Sequence, residues 1–409
     1  MKNIYSLFFG YLLLFCCIAN VQCEISASHQ QIVVGAERFN EYLPLLSKKR
    51  VGLLVNPTSM VKDQHFVDFL LSKNINIKII FAPEHGFRGD KGAGEMVLNG
   101  RDKKTNLPII SLHGKIRKPS KTHMEQLDIL VFDIQDVGVR FYTYISSMHY
   151  LMEACAENNV PLIVMDRPNP NGDYIDGPIL EPKLKGFIGM HPIPVVHGLT
   201  VGELANMING EGWLPKKQRC DLTVIKIVNY DHNKRYSLPV RPSPNLPNDL
   251  SVRLYPSLGF FEATPVSVGR GTPWPFQVLG YPNESMGTFS FKPNAISGSW
   301  SELNHAGQSL FGQNIAEEID SITIKPGIDL SYLLNWNKLF DNQQLTLITR
   351  PSFMDKLSGN IEFKNMVNRN MSAEKIKSSW DIGLIEYQQI RKKYLLYADS
   401  DYVKKRYAY

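Results

Sequence analysis

Apolar positions along this chain fall into short runs separated by polar stretches rich in Gly and Pro. The runs Val51-Gly52-Leu53-Leu54-Val55, Ile77-Lys78-Ile79-Ile80-Phe81, 107–111, 127–132 and 161–165 are dominated by β-branched and aliphatic residues. Runs of that length without regular polar alternation predict strands buried on both faces. Apolar spacing at 66–72 and 142–158 suits helices, so strand and helix alternate along the first half. That order predicts an α/β fold, a parallel sheet with helices on each side.

The pattern continues and then changes. At 200–209 an apolar stripe follows a capping box, with Thr200 as N-cap and Glu203 reaching back to it, and 222–228 is a further strand. From 241 to 282, Pro, Gly and aromatic residues recur with little periodicity. A loop-rich segment of this kind wraps a site or crosses between domains. Beyond it the chain is polar and mixed, with helical stretches near 331–340 and 374–397. We therefore expect a larger sheet domain over 24–265 and a smaller α+β domain over 266–409.

The first residues read differently. Lys2 precedes an apolar stretch at 7–18 and a small-residue exit at 19–23, the order of a secretory signal peptide. Residues 1–23 are expected to be removed after Cys23, giving an exported, periplasmic protein; the rival expectation keeps Cys23 as a lipidated first residue. No run approaches the roughly 20 apolar residues of a membrane-spanning helix. Export leaves Cys155 and Cys220, too few for a disulfide framework, as one bridge or two separate buried thiols. The 409 residues are 43% hydrophobic and 21% charged, an ordinary globular composition. A formal net charge of +6, spread along the chain, gives no support to nucleic-acid binding, which needs basic clustering on a recognisable module.

Candidate chemistry collects at strand ends. Glu84-His85-Gly86-Phe87-Arg88 follows the second strand, Asp133 to Arg140 the fourth, and Asp166-Arg167-Pro168-Asn169-Pro170-Asn171 the fifth. In a parallel sheet these ends share one edge, where open α/β sheets bind their ligands. Glu84 is the candidate general acid/base, because a sheet edge desolvates a carboxylate and raises its pKa, with the adjacent His85 as the catalytic residue that tunes or assists it. Asp136 is the candidate second carboxylate, since glycoside hydrolysis commonly uses two, and Glu262 competes for either role. Arg88, Arg140, Arg167 and Arg270 offer the guanidinium fork that grips a carboxylate, pointing to an anionic substrate. Tyr142, Tyr144, Trp274 and Phe276 add faces of the kind that pack on sugar rings. Asp166 and Asn169 belong to the same edge, and His197 precedes a helix N-terminus where donors converge. Each residue alone also fits a structural role: an ion pair for Glu84, a loop aspartate for Asp136, core packing for the rings.

Absent motifs narrow the field. Asn56-Pro57-Thr58-Ser59 follows the first strand with neither Gly-x-Gly-x-x-Gly nor a phosphate-cradling Gly-Lys-Ser/Thr, which argues against a dinucleotide or nucleotide cofactor. There is no His-Glu-x-x-His, Cys-x-x-Cys or Gly-x-Ser-x-Gly. His85, Asp133, Asp136 and Asp166 are metal-ligand types without a fixing spacing, so no metal is expected.

Eight separated strings, in order, resemble one family along nearly the whole mature chain. They are 83–89, 132–144, 166–171, Gly186-Phe187-Ile188-Gly189, His197-Gly198-Leu199-Thr200, Tyr255-Pro256-Ser257-Leu258, 266–272 and Lys393-Tyr394-Leu395-Leu396-Tyr397. The chain resembles the exo-β-N-acetylmuramidase family, formerly a domain of unknown function. The resemblance implies a Rossmann-like catalytic domain, a smaller second domain, and a cleft between them. It also implies a glycoside hydrolase that releases N-acetylmuramic acid from the non-reducing end of peptidoglycan fragments, whose lactyl carboxylate the arginines would clamp. The chain departs from the family pattern at His113, where Tyr is usual, and at Ala263-Thr264-Pro265, in place of Gly-Thr-Asn. Two rival readings share the cleft: a protein that binds muropeptides without cleaving them, and a metal-dependent cell-wall amidase or deacetylase.

Overall fold

The apolar runs of the first half become strands of one sheet. In chain order these are β1 (Val51–Val55), a short hairpin of β2 (Met60–Val61) and β3 (Gln64–His65) that stands apart, then β4 (Ile77–Ala82), β5 (Gly100–Arg101), β6 (Pro108–Ser111), β7 (Ile129–Asp133), β8 (Leu162–Met165) and β9 (Leu222–Ile225). The structure, a computed structural model, describes residues 30–89, 98–294, 305–319 and 323–407. The expected signal peptide lies outside the described residues.

The sheet runs β5-β6-β4-β1-β7-β8-β9. All its pairings are parallel except β5 with β6. The chain moves outward from β1 to β4 and β6, then returns across β1 to β7. Without the edge strand β5 this is the 3-2-1-4-5-6 order of doubly wound sheets, whose direction reverses between β1 and β7. Alternate side chains enter two cores. Leu54, Phe81, Leu130, Phe132, Leu162 and Val164 pack with helices Tyr144–Asn158 and Val201–Gly210; Leu53, Val55, Ile80, Val131, Ile163 and Met165 pack with helices Phe39–Leu46 and Phe66–Ser72.

The expected capping box is present: Glu203 N–H donates to Thr200 Oγ1 (3.2 Å) and Thr200 N–H to Glu203 Oε2 (2.9 Å). The loop-rich stretch departs from expectation by holding a helix, Asp249–Leu258. Its Pro256 has no N–H for the carbonyl of Val252, and Asn171 Nδ2 donates to that carbonyl instead, at 3.1 Å.

The second region contains an antiparallel sheet of β10 (Val278–Tyr281), β11 (Phe289–Phe291) and β12 (Leu310–Asn314), in the order β10-β12-β11. Helices Ser331–Asn342, Pro351–Ser358, Ile361–Asn368, Ala373–Ser378 and Asp381–Arg391 follow. The helical stretch expected over 374–397 is therefore broken in two, with Trp380 buried at the junction. Helix Asp249–Leu258 packs on Ser331–Asn342, and the turn Gly259–Ala263 packs on Pro351–Ser358. Among the described residues no helix is long and apolar enough to cross a membrane.

Candidate active site

Glu84 stands two residues beyond the end of β4. Gly86 N–H closes a turn onto Pro83 O at 3.1 Å, with His85 at φ +71°, a left-handed conformation that few non-glycine residues adopt. The partly buried Glu84 is thereby held on a tight bend at the sheet edge. Tyr144, which opens the helix after β7, donates its hydroxyl to the Glu84 carbonyl at 3.2 Å. The ends of β4 and β7 are thus tied across β1.

Tyr144 begins an aromatic wall. Its ring meets Tyr142 edge to face at 5.0 Å, Tyr142 meets Tyr255 at 6.2 Å, and Tyr255 meets Phe276 at 4.9 Å. Arg270 lies 5.4 Å from the Phe276 ring centre and pairs with Glu262. Burial raises the pKa of the Tyr142, Tyr144 and Tyr255 hydroxyls, and the Glu84 carboxylate adds to the rise at each. Tyr255 also feels Glu262, Arg270 and Asp136. Its ring stands between those of Tyr142 and Phe276 in the row. The side chain of Asn56, at the end of β1, lies against the Tyr144 hydroxyl and partly offsets the effect of burial there.

Asp136 belongs to a second, more enclosed group. Its Oδ2 accepts from Gly138 N–H (2.8 Å) and from His197 Nε2 (3.2 Å). His197 Nδ1 accepts from Leu199 N–H at 3.2 Å, so the bonding assigns the ring proton to Nε2. His197 is fully buried and acts on Asp136, not on the open face. Gly138, at φ +78°, lies so close to the Asn169 amide that no Cβ fits between them. Asn169 in turn donates to Leu199 O at 2.8 Å. Tyr387 donates to His197 O (2.7 Å), and Arg391 Nε and Nη2 donate to Gly198 O (3.1 and 2.6 Å).

The expected four-arginine clamp does not assemble: three of its members are held by groups away from the aromatic row, and Arg270 is paired with Glu262. Arg88 forms paired bonds to Asp102 (2.9 and 2.8 Å) and to Asp68 (3.2 and 3.0 Å). Arg167 grips Asp133 at 2.6 and 2.9 Å. Arg140 is wholly buried, and its Nη1 and Nη2 donate to the carbonyls of Pro178, Ile193, Leu357 and Ser358. Only Arg270 lies beside the aromatic wall.

Asp166 is likewise internal. It accepts from the hydroxyls of Tyr397 (2.6 Å) and Thr200 (2.8 Å) and from the N–H groups of Gly202 (2.8 Å) and Arg167 (3.0 Å). Burial, with the neighbouring Glu203 charge, pushes its pKa up to about 7 against the pull of those donors. Trp274 is 40% exposed and meets Phe289 edge to face at 6.3 Å. Among the described residues no group of three or more His, Cys, Asp or Glu side chains is placed to hold a metal ion. The place of Tyr255 in the row and the parts played by Asn56, Asn171, Tyr387 and Arg391 were not evident from spacing. The Asn-Pro after β1 and the Pro inside a Tyr-bearing helix were the only local signals.

Residues 51–250 match the family model for the exo-β-N-acetylmuramidase NamZ N-terminal part, and residues 253–397 match the model for its C-terminal part. Glu84 and Asp136 fall in the first segment, and Tyr255, Glu262 and Arg270 in the second, so the candidate site draws on both. The chain is 38% identical over 378 residues to the peptidoglycan β-N-acetylmuramidase NamZ of Bacillus subtilis strain 168, covering 87% of this chain and 89% of that one. Two solved DUF1343 family proteins of Bacteroides fragilis NCTC 9343 share the fold. One has TM-score 0.83 and 44% identity, covering 91% of this chain and 100% of its own; the other has TM-score 0.75 and 29% identity, covering 90% and 99%. With both halves matched and this extent of identity, the chain belongs to the exo-β-N-acetylmuramidase NamZ family of glycosidases.

Proposed function

We propose that this protein is an exported exo-β-N-acetylmuramidase that removes N-acetylmuramic acid from the non-reducing end of peptidoglycan-derived saccharides. The observation that carries the reading is the Tyr144–Tyr142–Tyr255–Phe276 row of rings, tied at one end to Glu84 by the Tyr144 hydroxyl and flanked at the other by the Arg270–Glu262 pair. A partly buried carboxyl on a tight bend is suited to protonate a glycosidic oxygen, so that the leaving sugar departs as a neutral alcohol and water completes the hydrolysis. The Tyr144–Tyr142–Tyr255–Phe276 rings are buried against one another, so they back the site as core and do not present the open faces expected for the saccharide. Arg270 is the guanidinium left beside it for the lactyl carboxylate, in exchange for Glu262. The activity named for the Bacillus subtilis relative supports peptidoglycan as the source of the substrate. The Lys2, apolar 7–18 and small-residue 19–23 order supports export to the periplasm.

The test is release of N-acetylmuramic acid from a chromogenic β-N-acetylmuramide and from a muramic-acid-terminated disaccharide. Glu84→Gln is expected to lower kcat by about 10²–10⁴-fold, the usual worth of a general acid, with an unchanged circular dichroism spectrum. Full activity in that variant removes Glu84 from the mechanism. Tight binding without turnover by the wild-type chain favours the muropeptide-binding reading. Activity lost to a chelator and restored by zinc favours the metal-dependent one.

A further inference from the structure

At the edge of the sheet opposite the site, the fold brings two cysteines together. Cys155 lies in the last turns of helix Tyr144–Asn158, and Cys220 comes two residues before β9. After the helix the chain turns back at once, with Val160 N–H on Cys155 O (3.1 Å), and enters β8. Leu162 of β8 pairs with Leu222 of β9 and donates its N–H to Asp221 O at 2.8 Å. The Cys220 backbone is held from both sides by Asn209, whose Oδ1 accepts from Cys220 N–H and whose Nδ2 donates to Cys220 O, each at 2.9 Å. Both are free thiols, buried at 1% and 4% exposure; Cys220 Sγ donates to Asp221 O (3.7 Å), and burial, with the Cys220 thiol beside it, raises the Cys155 pKa. Two independently anchored backbones therefore bring the two thiols to the same buried edge of the sheet.

We propose that Cys155 and Cys220 are joined as a disulfide in the exported protein. The inference rests on the export reading, because thiols persist in a reducing cytosol and pair in an oxidising compartment. One thiolate attacks the disulfide of a thiol–disulfide oxidase, forming a mixed disulfide. The second protein thiolate then displaces the oxidase sulfur. The two thiols lose two protons and two electrons, and the oxidase disulfide leaves as a dithiol. The exchange takes place before the core closes, and burial afterwards shields the bond from reductants. The bridge encloses β8, the 166–171 segment and His197 in one covalent loop, so it restrains the unfolded chain around the site without touching it.

The test is peptide mapping of the chain secreted through its own leader, denatured without reductant, alkylated and digested. The expected product is a Cys155 peptide linked to a Cys220 peptide, lighter than the pair of free thiols by two hydrogens and separated by reduction. Reductant, which reaches the bond as the chain opens, is expected to lower the thermal midpoint by roughly 3–5 °C, and to leave the midpoint of Cys155→Ala unchanged. Complete alkylation of both cysteines in exported protein overturns the proposal. A chain that stays in the cytosol with its leader intact overturns the export reading instead. The mapping is then made on protein refolded in a glutathione redox pair, where two alkylated cysteines overturn the disulfide as well.

Discussion

Arg140 and Arg270 show how one side-chain type serves opposite ends of this molecule. Two terminal nitrogens of Arg140 reach four backbone carbonyls, two of them at Leu357 and Ser358, 217 and 218 residues along the chain. Among the described residues no carboxylate pairs with it, and burial draws its pKa down to about 9. Truncating it strands buried acceptors at about 1–3 kcal/mol each. Arg140→Met is therefore expected to lower the urea midpoint, at constant m, by on the order of 3 kcal/mol or more in unfolding free energy. Arg270→Ala is expected to leave that midpoint within about 0.5 kcal/mol, since its side chain is 25% exposed. Its KM for muramides should rise roughly tenfold, for the loss of one charged hydrogen bond. A large midpoint shift for Arg270→Ala, or an unchanged KM, would contradict its place as the carboxylate ligand. Both arginines follow an apolar strand or a Gly-containing turn, and the partners that separate their roles are too distant for any local pattern to carry.

At the scale of elements, helix Tyr144–Asn158 carries a buried titratable contact. His149 Nδ1 lies 3.0 Å from His191 Nε2, and His191 stacks on Trp213 at 5.6 Å. One proton serves that contact. Burial, with Lys185 nearby, draws the His149 pKa down to about 4, and burial with His149, Lys185 and His197 lowers that of His191. A folded pKa below the unfolded value of 6.5 means that the native state favours the neutral ring. The stability it contributes is present above pH 6.5 and is lost as pH falls through 4. Unfolding free energy should decline on acidification across that window, by on the order of 3 kcal/mol at most from His149. His149→Gln should show a flatter decline, and an identical slope would assign the effect elsewhere. Legibility at this scale follows the range of the signal. Helix Val201–Gly210 is legible because Thr200 and Glu203 cap it from within one turn. Helix Asp249–Leu258 is not, because the carbonyl exposed by Pro256 is satisfied by Asn171, 81 residues earlier. The strand-end placement of Glu84 needs only an apolar run and a turn, whereas the enclosure of Asp136 by His197 depends on a long-range bond.

At the scale of the whole molecule, the C-terminal segment returns to the sheet domain and fastens the two family segments together. Tyr397 OH donates to Asp166 Oδ2 (2.6 Å) while accepting from Ile227 N–H (2.8 Å). Leu396 N–H donates to Glu203 Oε1 (2.8 Å), and Ala398 O accepts from His232 N–H (3.0 Å). Glu203 is the residue that caps helix Val201–Gly210, and His232 closes on it at 3.0 Å. The last residues thus complete the hydrogen bonding of buried polar groups beneath the site, groups that a sheet domain ending near 265 would leave short of partners. The two segments should therefore unfold as one cooperative unit, with circular dichroism and the fluorescence of Trp213, Trp336 and Trp380 giving coincident urea transitions. Tyr397→Phe removes a donor to a buried carboxylate and the acceptor of a backbone N–H. It should cost about 1–3 kcal/mol while sparing KM, because Tyr387 and Arg391 still hold the His197–Gly198 carbonyls. Two resolved transitions in the wild-type chain, or a Tyr397→Phe variant as stable as wild type, would show that the segments stand independently and that this return is incidental to the site.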